Sequence, residues 1–187
     1  MGSKKGKVIV ISAPSGTGKS TVCRLLLKKI KNLKYSVSVT TRQKRKFEKD
    51  GKDYFFVTKY EFKKMVKNNY FIEWQKVHNN YYGTPKEFIE KNLNKGYNVL
   101  LDIDVKGGKT LKKIYPDGIF IFLVPPSWEE LKRRLKSRGT EDEKELELRL
   151  KNAKKELKFK KYYDFVIVND KIEETLKKIV EIIKENL

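Results

Sequence analysis

Ala13-Pro14-Ser15-Gly16-Thr17-Gly18-Lys19-Ser20 follows almost directly on the apolar run Val8-Ile9-Val10-Ile11. Four β-formers before a glycine-rich turn read as a buried strand running into a loop, and Lys19 onward reads as the helix that leaves it. The glycines let the backbone aim its N–H groups at an anion, and the helix N-terminus adds a favourable dipole. Lys19 is placed to reach β- and γ-phosphates, and the Ser20 hydroxyl to ligate Mg²⁺. Ala13 stands where the usual pattern opens with glycine, and its small side chain still permits close approach. The stretch predicts a nucleoside-triphosphate site at the end of a strand.

The rest of the chain supplies the matching framework. A helix is expected from about 19 to 31, with Val22, Leu25, Leu26 and Ile30 on one side. Tyr97–Ile103, Ile119–Val124 and Phe165–Val168 read as further buried strands. Helices are expected at 105–115, 128–137 and 141–161, and Ser127 is a good N-cap for the second. Asn169 and Asp170 are expected to cap a last amphipathic helix with the stripe Ile172, Leu176, Ile179, Val180 and Ile183. Strands alternating with helices predict an α/β fold of the phosphate-loop type, a parallel sheet flanked by helices. Residues 35–90 break the rhythm with a polar, β-rich texture, a short helix near 59–68 and a strand near 71–77. That segment is expected to form an inserted lobe, with Pro85 in the first turn of the helix that closes it.

With 187 residues the chain suffices for one domain, and its apolar stretches are too short to span a membrane. No hydrophobic leader precedes the first strand, and Gly6 stands where a myristoylation pattern wants Ser or Thr. The lone Cys23 sits among Val22, Leu25 and Leu26 as a small core residue, so a reducing, cytoplasmic setting is expected. Lysines and arginines number 44 against 24 acidic residues, a formal charge of +20. Such a field favours anionic nucleotides and nucleic acid alike, but the lysines interleave with glutamates on helical faces as a solvated surface does. No nucleic-acid-binding motif accompanies the charge.

A phosphate loop names the donor and leaves the acceptor open. The inserted segment offers Ser38, Arg42, Arg45, Tyr54, Glu73, Tyr82 and Thr84. Arginine forks and tyrosine hydroxyls hold phosphate. Glu73, inside Phe71-Ile72-Glu73-Trp74, is either an exposed strand residue or a buried carboxylate needing donors such as guanine N1–H and its 2-amino group. On the donor side, Arg134 and Arg138 are four apart on one helical face and Arg149 follows, with Glu129, Glu130 and Glu141 as ordinary surface partners. Asp102 and Asp104 flank Ile103, and Asp104 is expected at the end of the strand, facing the acceptor. His78, the sole histidine, sits in a polar loop and is given no catalytic role.

Over nearly its whole length the chain resembles guanylate kinase. The matching segments are Ser12–Thr21, Ser36–Arg42, Gly51–Val57, Phe71–Trp74, Asn80–Thr84, Leu101–Asp104, Val124–Ser127, Arg138–Thr140 and Val166–Asp170, in that order. The resemblance implies Mg²⁺-dependent transfer of the ATP γ-phosphoryl group to GMP, with dGMP as a further acceptor. It implies a core of about 1–35, 91–137 and 159–187, a GMP-binding lobe of about 36–90 and a helical lid of about 138–158, both closing over the substrates. It assigns ATP to Ala13, Pro14, Ser15, Gly16, Thr17, Gly18, Lys19, Ser20, Thr21, Arg134, Arg138 and Asn169, the last on the adenine side. It assigns the GMP phosphate to Arg42, Arg45, Tyr54 and Tyr82, and guanine to Ser38, Glu73, Thr84 and Asp104. Lys19, Arg42, Arg134, Arg138 and Arg149 take the catalytic roles, and Ser20 with Asp102 (through water) holds the metal. ATP and GMP are then the partners of a monomer or homodimer, with no specific nucleic acid and no membrane. Two other readings share this fold: an inactive phosphopeptide-binding module and a kinase for another small phosphate ester. The chain departs from the family pattern at Lys44 (frequently proline), Phe47 (mostly glycine) and Lys106 (commonly glutamine). A Cβ disfavours positive φ, so Lys44 and Phe47 would strain a loop that needs it, which bears on the placement of Arg45.

Overall fold

The computed structural model describes residues 5–77, 79–137 and 143–187. Arg138, Glu141 and His78 lie outside the described residues, as does the start of the expected lid. The apolar runs form a five-stranded parallel sheet. Its strands are β1 (Val8–Ser12), β2 (Leu33–Tyr35), β7 (Asn98–Asp102), β8 (Ile119–Val124) and β9 (Phe165–Val168), in the order β2-β7-β1-β8-β9. Every residue of β1 and β7 is buried, as expected of parallel strands covered on both faces. β9 lies at the edge, and its Val166 and Val168 stay half-exposed.

Two compact units divide the chain. The first comprises Asn32–Leu101 with the residues leading to Val8. It contains β2, the start of β7, and a separate four-stranded sheet of order β4-β3-β6-β5. The strands of that sheet are β3 (Val39–Thr40), β4 (Phe55–Phe56), β5 (Phe71–Val77) and β6 (Asn80–Pro85). β5 and β6 form an antiparallel hairpin, with Asn79 at φ 67° beside the turn, a conformation asparagine tolerates. Helix α2 (Lys59–Lys67) begins in a full capping box between Thr58 and Glu61. Its Phe62 is buried against Phe71 and Tyr81, with ring centroids 4.6 and 5.4 Å away. Pro85 sits one place earlier than expected: it ends β6 and is the N-cap of α3 (Lys86–Asn94), where its fixed φ suits the extended backbone.

The second unit comprises Ile9–Lys31 and Asp102–Leu187. Its helices are α1 (Lys19–Lys29), α4 (Val105–Ile114), α5 (Trp128–Lys136), α6 (Glu143–Leu157) and α7 (Ile172–Asn186). The parallel registers Ile9↔Ile119 and Ile121↔Phe165 tie β1 to β8 and β8 to β9. Ser127 caps α5, its Oγ accepting from the Glu130 amide at 3.0 Å. The long helix expected to 161 stops at Leu157 and tightens into a 3-10 turn, Lys158–Tyr162. The last helix also differs from expectation. Its N-cap is Lys171, and the Asn169 side chain caps nothing, because it is turned back to the phosphate loop.

Candidate active site

The donor half is built in the second unit from backbone. Gly18 is the N-cap of α1 at φ 96°, and Gly16 lies at φ 91°. Both values suit glycine and few other residues. A Cβ on Gly16 would also sit 2.9 Å from Leu135 Cδ2 and 3.1 Å from Leu131 Cδ1, so α5 packs directly on the loop. No side chain caps α1 and its first turn holds no acidic residue, which leaves the opening amides for an anion.

Around this loop the structure gathers most of the expected residues. Lys19 Nζ is ion-paired with the buried Asp102 and donates to the Ile103 carbonyl at 2.9 Å. Arg149 Nη2 donates to Ser15 Oγ at 3.3 Å. Arg134 donates through Nε to Glu130 at 2.7 Å and through Nη1 to the Asn169 carbonyl at 3.0 Å. The hydrogen bonds from Arg133, and then from Arg134, hold the Glu130 carboxyl down at about 2. Ser20 and Thr21 lie exposed in the first turn of α1. Burial first, and then the Asp102 carboxylate, push the Cys23 thiol well above its usual range. It therefore stays protonated and is a core residue, not a nucleophile. Asp104 lies past the end of β7 as the N-cap of α4, with Oδ1 accepting from the amides of Lys106 and Gly107 at 2.7 and 3.1 Å.

Most of the residues expected to hold the acceptor lie in the first unit and offer side chains. The β5–β6 register shifts between Phe71 and Glu73, so that Glu73 falls directly opposite Thr84. A bulge of this kind re-aims a side chain. Glu73 is 7 % exposed, which settles its orientation as inward, and the Thr84 hydroxyl donates to its Oε1 at 2.5 Å. Ser38 is buried just before β3. At the far end of β3, Thr40 Oγ1 donates to the Tyr81 carbonyl and accepts the Arg42 amide, at 3.0 and 3.2 Å. This fastens the start of the Arg42 loop to β6. The guanidinium then lies 5.4 Å from the Tyr54 ring centroid and 5.8 Å from that of Phe56, and the Tyr54 and Tyr82 rings meet edge-on at 6.0 Å.

Glu48 is the residue that motif reading passed over. Arg42 grips it with both terminal nitrogens, Nη1 to Oε2 at 2.9 Å and Nη2 to Oε1 at 2.7 Å. The Arg45 amide donates to the same Oε2 at 2.8 Å. The bonds to Glu48, with a smaller contribution from Tyr82, raise the Arg42 pKa further above its already high value against the opposing effect of partial burial. Partial burial opposes the charged form of Glu48, and the bonds from Arg42 and from the Arg45 amide override it, holding the carboxyl below its usual range. A carboxylate three residues after Arg45 and six after Arg42 was the available signal. Phe47 is 89 % exposed, and it is not among the described non-glycine residues at positive φ, which are Asn69 and Asn79. The 42–48 loop therefore closes without the strain expected of it, on the Glu48 carboxylate and a 3.1 Å bond from the Glu48 amide to the Arg45 carbonyl. The Arg45 side chain itself is exposed.

Comparisons with known proteins show the family and its fold. The guanylate kinase family model matches residues 5–186. The guanylate kinase of Caldanaerobacter subterraneus subsp. tengcongensis is 51% identical over 180 residues, covering 96% of this chain and 87% of that protein. That of Thermotoga maritima is 45% identical over the same shares of both. The crystal structure of guanylate kinase from Anaplasma phagocytophilum superimposes with a TM-score of 0.83 at 40% identity, covering 97% of this chain and 86% of that one. With a family model that matches residues 5–186 and relatives that cover nearly the whole chain, the chain belongs to the guanylate kinase family.

Proposed function

We propose that this guanylate kinase carries out ATP:GMP phosphotransfer with donor groups in the second unit and most of the acceptor groups in the first. The chemistry is in-line attack of a GMP phosphate oxygen on the γ-phosphorus of ATP, with ADP as the leaving group. Such a transfer asks the protein for alignment and charge neutralisation more than for covalent participation. The loop Ala13–Ser20 with Thr21 takes the donor phosphates, and Lys19 leaves Asp102 to follow the charge on the moving group. Arg134 and Arg149, already at the loop or one contact from it, supply further positive charge, and Arg138 is assigned with them by the family pattern.

In the acceptor half, Arg42, Arg45, Tyr54 and Tyr82 hold the GMP phosphate. Glu73 accepts from guanine N1–H and the 2-amino group, and Ser38, Thr84 and Asp104 complete base recognition. The Ser20 hydroxyl and Asp102 carboxylate are hard oxygen donors of the kind Mg²⁺ takes, so these residues fit the metal the family uses. When bound, Mg²⁺ neutralises charge on the phosphate oxygens. A cytoplasmic setting, where both nucleotides are available, belongs to the same reading. No described helix is long and apolar enough to cross a membrane.

The observation that carries the acceptor assignment is the buried Glu73–Thr84 pair, a carboxylate aimed inward on a strand whose nearest residues in sequence are Phe71, Ile72 and Trp74. Coupled ADP release, measured with ATP and GMP, AMP, UMP or CMP in parallel, tests it. Turnover is expected with GMP alone and is abolished by a metal chelator. Turnover confined to AMP or the pyrimidine nucleotides would refute the acceptor assignment. GMP binding without turnover would favour the phosphopeptide-binding module instead.

A further inference from the structure

We propose that Asn169 is a positioning residue for the phosphate cradle, acting on the loop backbone and not on the nucleotide base. This rests on the reading of loop 13–20 as the donor-phosphate site. Asn169 is 5 % exposed, and its backbone is fixed on both sides: its amide donates to the Val124 carbonyl at 2.8 Å and its carbonyl accepts from Arg134 Nη1 at 3.0 Å. Its side-chain Nδ2 donates to the Thr17 carbonyl at 2.6 Å, across 152 residues of sequence. That contact sets the orientation of the amide, since the opposite one would press two carbonyl oxygens together.

The consequence lies in the next bond of the chain. The C=O of Thr17 and the N–H of Gly18 belong to one planar trans peptide and point in opposite directions. Holding the Thr17 carbonyl toward Asn169 therefore turns the Gly18 N–H the other way, away from Asn169. An anion nest depends on successive N–H groups keeping such a shared orientation. Gly18 would otherwise give this peptide wide rotational freedom. The fit is tight from the other side too, because a Cβ on Gly18 would lie 2.7 Å from Asn169 Nδ2. The glycine thus provides the conformation and the room, and Asn169 removes the freedom that comes with them. Through Arg134 the same residue links helix α5 to the loop.

Tripolyphosphate, which has no base, separates this role from an adenine contact. Calorimetry of Asn169→Ala and Asn169→Leu with ADP and with tripolyphosphate, both with Mg²⁺, should show the two ligands weakened by the same factor. That factor is about 10-fold, the size of one buried hydrogen bond. The wild-type preference for ATP over inosine triphosphate as donor should be unchanged, and GMP binding should be retained. Loss of ADP affinity with tripolyphosphate unaffected, or collapse of the ATP preference, would overturn the proposal in favour of base contact. No loss for either ligand would overturn it as well. If the variants do not fold, the Asn169 side-chain amide NMR signals of the wild-type protein decide. Equal shifts with tripolyphosphate and ADP support the strap, and a shift with ADP alone overturns it. Wild-type protein that binds neither ligand would instead overturn the donor reading, a separate failure.

Discussion

The proposed donor and acceptor halves set one task, holding a phosphate, to different materials. In the donor half the ligand groups are backbone amides of one contiguous loop, shaped by Gly16 and Gly18 at positive φ and opening into α1. In the acceptor half they are side chains from positions spread between Ser38 and Thr84, assembled by strand pairing and a bulge. Backbone chemistry tolerates variation in side chains, and the small Ala13 lies buried at the head of the loop. Side-chain chemistry depends on register, and a slip of one residue in the β5–β6 pairing would move Glu73 to the opposite face.

The sharpest way to break the comparison is Lys19→Ala. Removing a charge that follows the transferred group should lower turnover about 10³-fold in the coupled assay. The same change strips Asp102 of its ion-pair partner and costs about 3 kcal/mol of stability. Calorimetric GMP binding, carried by the other unit, should survive, and normal turnover would sink the mechanism.

Next in size is Glu73→Gln. Loss of a charged acceptor should raise the KM for GMP about 50-fold while the KM for ATP stays within about twofold. An equal rise for both substrates would argue against base recognition by Glu73.

The smallest expected effect is that of Glu48→Gln, which keeps the shape of the Arg42 clamp and removes its charge. The KM for GMP should rise about fivefold through the loosened guanidinium, with kcat little changed. This pair also has a pH signature. The folded carboxyl titrates below the ordinary value of 4.5, so its stabilisation is fully present above that value and is lost as pH falls through the folded pKa. Denaturant unfolding of wild type and Glu48→Gln should differ near neutrality and converge as the solution is acidified below pH 4.5. A difference that persists unchanged through that range would exclude Glu48 as its source.

How legible each part was follows from the same contrast. The strands Ile119–Val124 and Phe165–Val168 both coincide with their apolar runs: the first is buried almost throughout, as a strand covered on both faces must be apolar, and the second keeps its run although Val166 and Val168 are exposed at the edge. The phosphate loop was equally legible, since its geometry is local to eight residues. The 42–48 loop was not. Phe47 promised strain because glycine is usual there, and the loop closed instead on Glu48, a contact that motif spacing does not announce. The last helix shows the reverse error. Asn169 has the chemistry of a cap, and a longer-range acceptor at Thr17 claimed its side chain first. Tertiary partners override such local preferences because a buried amide must be satisfied, whereas an exposed helix end can be satisfied by water.

By itself, then, the sequence determined the alternation of strands and helices and the glycine-rich loop that follows the first strand. Those features depend on periodicity and on local backbone freedom, and both are written in neighbouring residues. Only the tertiary structure decided that Glu73 turns inward to Thr84, that Glu48 holds Arg42, and that Asn169 fastens Thr17. Each of these contacts requires a particular strand register, loop closure or chain crossing. No local propensity carries that information, because the energy that selects it comes from burying and pairing polar groups with partners that sequence distance does not reveal.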